Sequence, residues 1–149
     1  MNKAPEGVIV MFEGGYPIVA LQVPARLSQS QKVRKVISHL AEAALRDPIL
    51  VTEMEVAVGE AFSNAVKYGD RRTAISFKLE SGKGNSLAVR MAYGGKPFDT
   101  TVTYPLDVLE GKGGLGRYIM TRVLDRMEYR FGAGGMTTLC MRKSRKSRS

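Results

Sequence analysis

Apolar positions follow two rhythms along this chain, one of period two and one near 3.6. Residues 8–12 and 16–23 are apolar runs separated by Gly14-Gly15, which predicts a β-hairpin closed by Pro24. From Ser28 the rhythm lengthens, and Val33, Val36, Ile37, Leu40 and Ala44 share one face of a helix. Ser28 and Gln31 have the spacing of a capping box, in which two side chains satisfy amides that the helix start leaves open. Asp47-Pro48 reads as the stop. A second box, Thr52 and Glu55, opens a second helix to about Tyr68, with Gly69 as its C-terminal cap. Its core face is Met54, Val58, Ala61, Phe62 and Ala65.

Period two then returns. Residues 73–79 and 87–92 predict two strands joined by the turn at 81–85. A segment containing Pro97 and Pro105 leads to the glycine cluster 111–116, and a third helix is expected over about 115–126. Strands at 127–131 and 137–141 pair across Gly132-Ala133-Gly134-Gly135. Three helices are too few to cover both faces of the sheet. The expected fold is therefore an α+β two-layer sandwich, a mixed and mostly antiparallel sheet with three helices on one face.

Composition fits one such domain. The chain has 149 residues, 44% of them hydrophobic, enough for a real core and far from the disordered range. No apolar run approaches a membrane span, and Met1-Asn2-Lys3 does not lead into a signal-peptide core. The single Cys140 excludes an internal disulfide and sits in an apolar strand, where an inert buried thiol is expected. These features point to the cytoplasm. The formal charge of +9 raises nucleic-acid binding, but five of those charges are Arg142, Lys143, Arg145, Lys146 and Arg148, leaving +4 for the rest. The expected organisation is a domain over 1–141 and a basic disordered tail over 142–149.

Three segments could carry chemistry. Glu60 and Asn64 lie one helical turn apart and off the core face, with Lys67. By itself that is an ordinary solvent face. The pair could also work together, the Asn64 amide oxygen as a Mg²⁺ ligand and the Glu60 carboxylate as a proton acceptor. Gly111-Lys112-Gly113-Gly114-Leu115-Gly116 runs into a helix, so its backbone could approach a phosphate closely; a flexible turn reads the same way. Its spacing matches neither the dinucleotide-binding nor the P-loop motif. Tyr93-Gly94-Gly95-Lys96-Pro97-Phe98-Asp99 follows a strand and reads as a turn. His39 belongs to the polar side of the first helix, and no Cys/His cluster suggests zinc.

The order of these segments resembles the histidine-kinase-like (Bergerat, GHKL) ATPase superfamily. The stretch 53–69, with Glu60 and Asn64, is similar to its N box. Gly95-Lys96-Pro97-Phe98-Asp99 is similar to the end of its first glycine box, and Gly113-Gly114-Leu115-Gly116 to its second. Asp125 to Tyr129 and Gly135 to Thr138 also look like this family, so the resemblance spans about 20–143. The short chain points to the anti-sigma-factor serine kinase branch. The resemblance implies ATP and Mg²⁺ as cofactors. It implies Glu60 as general base and Asn64 as Mg²⁺ ligand. It places Gly95, Lys112, Gly113, Gly114, Leu115 and Gly116 at the nucleotide, and a hydroxyl, Thr137, near adenine. It implies a sigma factor and an antagonist protein as partners, the antagonist being phosphorylated on serine, and a homodimer. One position departs from the pattern. Tyr93 stands where the family carries the Asp that accepts a hydrogen bond from the adenine amino group. Three readings follow: an ATP-dependent anti-sigma kinase, a partner-binding module that has lost ATP, and nucleic-acid binding through the basic surface.

Overall fold

The computed structural model describes residues 7–14, 16–98, 100 and 115–145. Six strands run in the order β1 (Val8–Glu13), β2 (Tyr16–Val23), β3 (Ile75–Gly82), β4 (Ser86–Gly94), β6 (Met136–Ser144) and β5 (Arg126–Phe131), and each neighbouring pair is antiparallel. The parallel component expected of a mixed sheet is absent among the described pairings. Three helices, α1 (Ser30–Leu45), α2 (Pro48–Tyr68) and α3 (Leu115–Val123), complete the α+β fold.

Period-two alternation divides the sheet. Ile75, Phe77 and Leu79 of β3, Leu87, Val89 and Met91 of β4, and Leu139 and Met141 of β6 are buried under the helices. Their strand neighbours Ser76, Lys78, Arg90 and Arg142 are exposed. Phe62 of α2 is 1% exposed and meets Phe77 with ring centroids 6.1 Å apart, joining the two layers. His39 is exposed on α1, and Cys140 is half-buried rather than enclosed.

Both predicted capping boxes are replaced by other devices. Residues 27–29 form a single 3-10 turn, and α1 begins only at Ser30, whose hydroxyl donates to the Leu27 carbonyl at 2.7 Å. Helix α2 begins a turn earlier than the Thr52 box predicts. The Asp47 carboxylate accepts from the Ile49 amide at 2.9 Å and the Leu50 amide at 3.5 Å, and Pro48 is the first helical residue. A proline there loses no hydrogen bond and has its φ preset, so Asp47-Pro48 starts a helix. Thr52 instead donates its hydroxyl to the Pro48 carbonyl at 3.0 Å. Helix α3 stops at Val123, short of 126, because Asp125 turns the chain, its amide donating to the Arg142 carbonyl at 3.0 Å.

Strand β6 crosses the domain boundary expected at 141. Arg142, Lys143 and Ser144 continue the ladder with β4, and residues 146–149 lie outside the described residues. Lys143 is 4% exposed. Its ammonium donates to Glu53 Oε2 at 3.1 Å and to the Val123 carbonyl at the C-terminus of α3, where a cation is favoured. Lys143→Ala removes both contacts. Glu53 keeps a 30% exposed side chain and remains solvated, so the cost is that of orphaned hydrogen bonds, about 1–3 kcal/mol. Urea unfolding checks this. An unchanged midpoint would return residues 142–144 to an unstructured tail.

Candidate functional site

Glu60 and Asn64 are both half-buried on α2, and the first turn of α3 packs against them. Gly116 is the point of contact. A Cβ on Gly116 would stand 2.5 Å from Glu60 Oε2 and 3.4 Å from Asn64 Nδ2. The backbone of α3 can approach the two polar side chains this closely because no side chain intervenes. Residues far apart in sequence are thereby brought to one place. Leu115 opens α3, and Lys112, Gly113, Gly114 and Asp99 lie outside the described residues.

A second group forms at the other end, where β4 leaves the sheet. Tyr93 pairs across the ladder with Thr137 and points to the helix side, 8% exposed. Its ring passes between two glycines. A Cβ on Gly69 would lie 3.1 Å from Tyr93 Cδ2, and one on Gly95 would lie 3.0 Å from Tyr93 Cε2. The Gly95 segment is tied down from both sides. Its amide donates to the Gly135 carbonyl at 2.8 Å, and the Thr137 hydroxyl donates to its carbonyl at 3.1 Å. Thr137 is fully buried, so its hydroxyl positions this backbone.

A cavity of about 860 Å³, within the range of small-molecule sites, runs from Asn64 and Gly116 to the Tyr93 group, while Glu60 lines a separate hollow with Ser30, Arg34 and Glu55. Asn64 and Gly116 line one end; Tyr93, Gly95, Tyr129 and Met136 line the other. Tyr93 is part of the wall and leaves the cavity open. Phe98 stands edge-on to Tyr129 and Phe131, with centroids 4.9 and 5.1 Å apart, and the Arg117 guanidinium lies 5.4 Å from the Phe98 centroid. At the rim, Asp70 accepts from the Arg72 backbone amide at 3.0 Å and from Arg72 Nε at 3.1 Å. These bonds hold its carboxyl below the usual carboxylate range.

Burial dominates the chemistry of the two phenols. It pushes Tyr93 up to about 12, Tyr129 adds to the rise, and Arg117 opposes it. Burial raises Tyr129 as well, against Arg117. At neutral pH Tyr93 is a neutral hydroxyl. Below pH 10 the phenol is protonated in both folded and unfolded chains. Between about pH 10 and 12 the unfolded chain releases its proton first, so stability falls as pH rises, by about 2 kcal/mol. Absorbance titration of the phenolates should show late ionisation that Tyr93→Phe reduces by one phenol, leaving that of Tyr129, together with a flatter alkaline stability profile.

The sequence of residues 23–143 matches the histidine kinase-like ATPase domain family. The chain belongs to this family. No curated protein matches it significantly. Among solved structures it is similar to the SiaB–SiaC complex from Pseudomonas aeruginosa. The TM-score there is 0.57 at 12% identity, with 89% of each chain covered. It is also similar to the histidine kinase domain of the blue-light activated histidine kinase from Erythrobacter litoralis EL346. There the TM-score is 0.51 at 17% identity, covering 77% of this chain and 58% of that one. At these identities the two structures establish the shared fold.

The cavity of this ATPase domain fits a nucleotide at its α2–α3 end. Asn64 and the side-chain-free Gly116 both face the cavity there, and an amide oxygen at Asn64 is the kind of donor Mg²⁺ accepts alongside phosphate and water. No cluster of three His, Cys, Asp or Glu side chains exists among the described residues, and Mg²⁺ held mainly by phosphate needs none. No helix is long and apolar enough to cross a membrane among the described residues. Sequence reasoning missed Arg117, Phe98, Tyr129 and Asp70 as cavity residues. Tyr129 was the accessible one, since alternation in β5 puts it on the helix side with Met127.

Proposed function

We propose that this chain is an ATP- and Mg²⁺-dependent protein serine kinase of the anti-sigma type, acting in the cytoplasm. It holds a sigma factor and releases it in exchange for an antagonist protein whose serine it phosphorylates. The observation that carries this reading is the meeting of Asn64 and the Gly116 backbone at one end of a nucleotide-sized cavity, with the Glu60 carboxylate against the same Gly116 backbone from the neighbouring hollow. ATP supplies the phosphoryl group, and Mg²⁺ neutralises the charge that develops on it. The α3 backbone at Gly116, which lines the cavity, would face the phosphates. Asn64 offers its amide oxygen to the metal. Glu60 orients the serine hydroxyl and accepts its proton as the new O–P bond forms and the bond to ADP breaks. The SiaB–SiaC relative is a two-protein complex, which supports partner binding as part of the proposal. A homodimer has a natural place on edge strand β1, where Ile9 is 60% and Phe12 74% exposed beside unpaired ladder groups.

Calorimetry with ATP and Mg²⁺, followed by phosphotransfer to serine of the cognate antagonist, tests this. No heat at millimolar ATP would falsify the kinase reading. It would leave the second reading, a partner-binding module without ATP, which the buried Tyr93 favours.

A further inference from the structure

The helices cover one face of the sheet. The other face carries a charge pattern that the fold does not need. On it, Lys78 of β3 stands directly opposite Arg90 of β4, and Arg126 of β5 directly opposite Arg142 of β6. All four are exposed. Like charges directly opposite each other destabilise a sheet, and an acid in either position would relieve the repulsion. The acids on this face of β3 to β6 are already engaged along their own strands, Glu80 with Lys78 at 3.3 Å and Glu128 with Arg130 at 3.5 Å. Arg90, Arg126 and Arg142 form no ion pair among the described residues.

The floor between these cations is low. Ladder partners Ala88 and Arg142 adjoin Arg90 and Cys140, and Ala92 faces Thr138. Short side chains leave the guanidinium groups standing above a flat surface that another protein surface can approach closely. Single-stranded nucleic acid binds sheet faces by stacking bases on aromatic rings. The face-up positions of β3, β4, β5 and β6 hold none, which favours a protein partner. Arg145, exposed directly after β6, adds a further cation near the end of this strand.

We infer that this uncovered, cationic sheet face docks an acidic surface of a partner protein. The cavity containing Asn64 and Tyr93 lies on the helix side, so a partner held here would leave it accessible. The inference stands independently of the kinase reading.

The test uses the full chain with poly-L-glutamate as the acidic probe, followed by fluorescence anisotropy at low and physiological ionic strength. Arg90→Gln/Arg142→Gln should weaken binding about tenfold or more. Lys32→Gln/Lys35→Gln removes the same charge from α1 and should weaken it less than about twofold. The sheet variant should melt no lower than the natural chain, because a like-charge pair is relieved, so lost binding cannot be assigned to lost folding. Equal losses from both double variants would overturn the inference as unlocalised electrostatics. So would tighter binding of a single-stranded RNA oligonucleotide through the same arginines, or a loss seen on removing residues 146–149 and not in the sheet variant.

Discussion

Glu60→Gln lowers phosphotransfer by about 10²–10⁴-fold while leaving ATP affinity within about threefold of the natural chain. The amide has the shape of the carboxylate and can still occupy the space beside Gly116, so the α2–α3 contact survives. It cannot accept the serine proton. In the proposed mechanism Glu60 acts on the acceptor hydroxyl and not on the base, so the loss falls in the transfer step and ATP binding is spared. Asn64→Ala is the useful contrast, because it removes the amide oxygen proposed to hold the metal and should weaken Mg²⁺-dependent ATP binding along with transfer. Calorimetry and single-turnover phosphotransfer on the same preparations separate the two. Full activity in Glu60→Gln would remove Glu60 from the base role. It would leave open only a mechanism in which another group takes the proton.

Tyr93→Asp tightens ATP binding by roughly tenfold to a hundredfold. This is the value of a buried hydrogen bond between a carboxylate and the adenine amino group. In the natural chain the ring is packed between Gly69 and Gly95, and its hydroxyl is kept neutral by burial. Removing the ring enlarges an existing cavity instead of sealing an empty one, so the expected stability loss is about 1–3 kcal/mol, below that of truncating a fully enclosed aromatic. Tyr93→Phe separates the two roles of the ring. If the phenol hydroxyl itself contacts the base, Phe weakens ATP binding. If the ring only forms the wall, Phe leaves it unchanged. Tight ATP binding by the natural chain with no gain from Asp would place the base elsewhere in the cavity.

Much of the fold was legible because it depends on local periodicity. The apolar run at 16–23 and the segments 73–79 and 87–92 marked strands, and in the latter two the inward residues are the buried ones. The helical face of Val33, Val36, Ile37 and Leu40 is likewise the buried face of α1. Helix starts were less legible. An Asp-Pro pair is compatible with a start or a stop, and a capping-box spacing marks a start only where its amides are left open once neighbouring turns form, which those of Thr52 inside α2 are not. The tail was misjudged for a different reason. A run of cations reads as solvated unless a half-buried acid and a helix C-terminus await one of them, as Glu53 and Val123 await Lys143.

The sequence alone determined the elements, the layer architecture, and the candidate residues Glu60, Asn64, Tyr93 and Gly116. These follow from spacing along a single helix or strand and from motif order. Tertiary structure alone decided that Gly116 meets Glu60 and Asn64, and that Thr137 holds the Gly95 carbonyl. It also decided that the Tyr93 ring lines an open cavity between two glycines. The same holds for the cations facing each other across the uncovered sheet face. Each joins residues brought together by strand register or helix packing, and neither quantity is encoded in any local window of the chain.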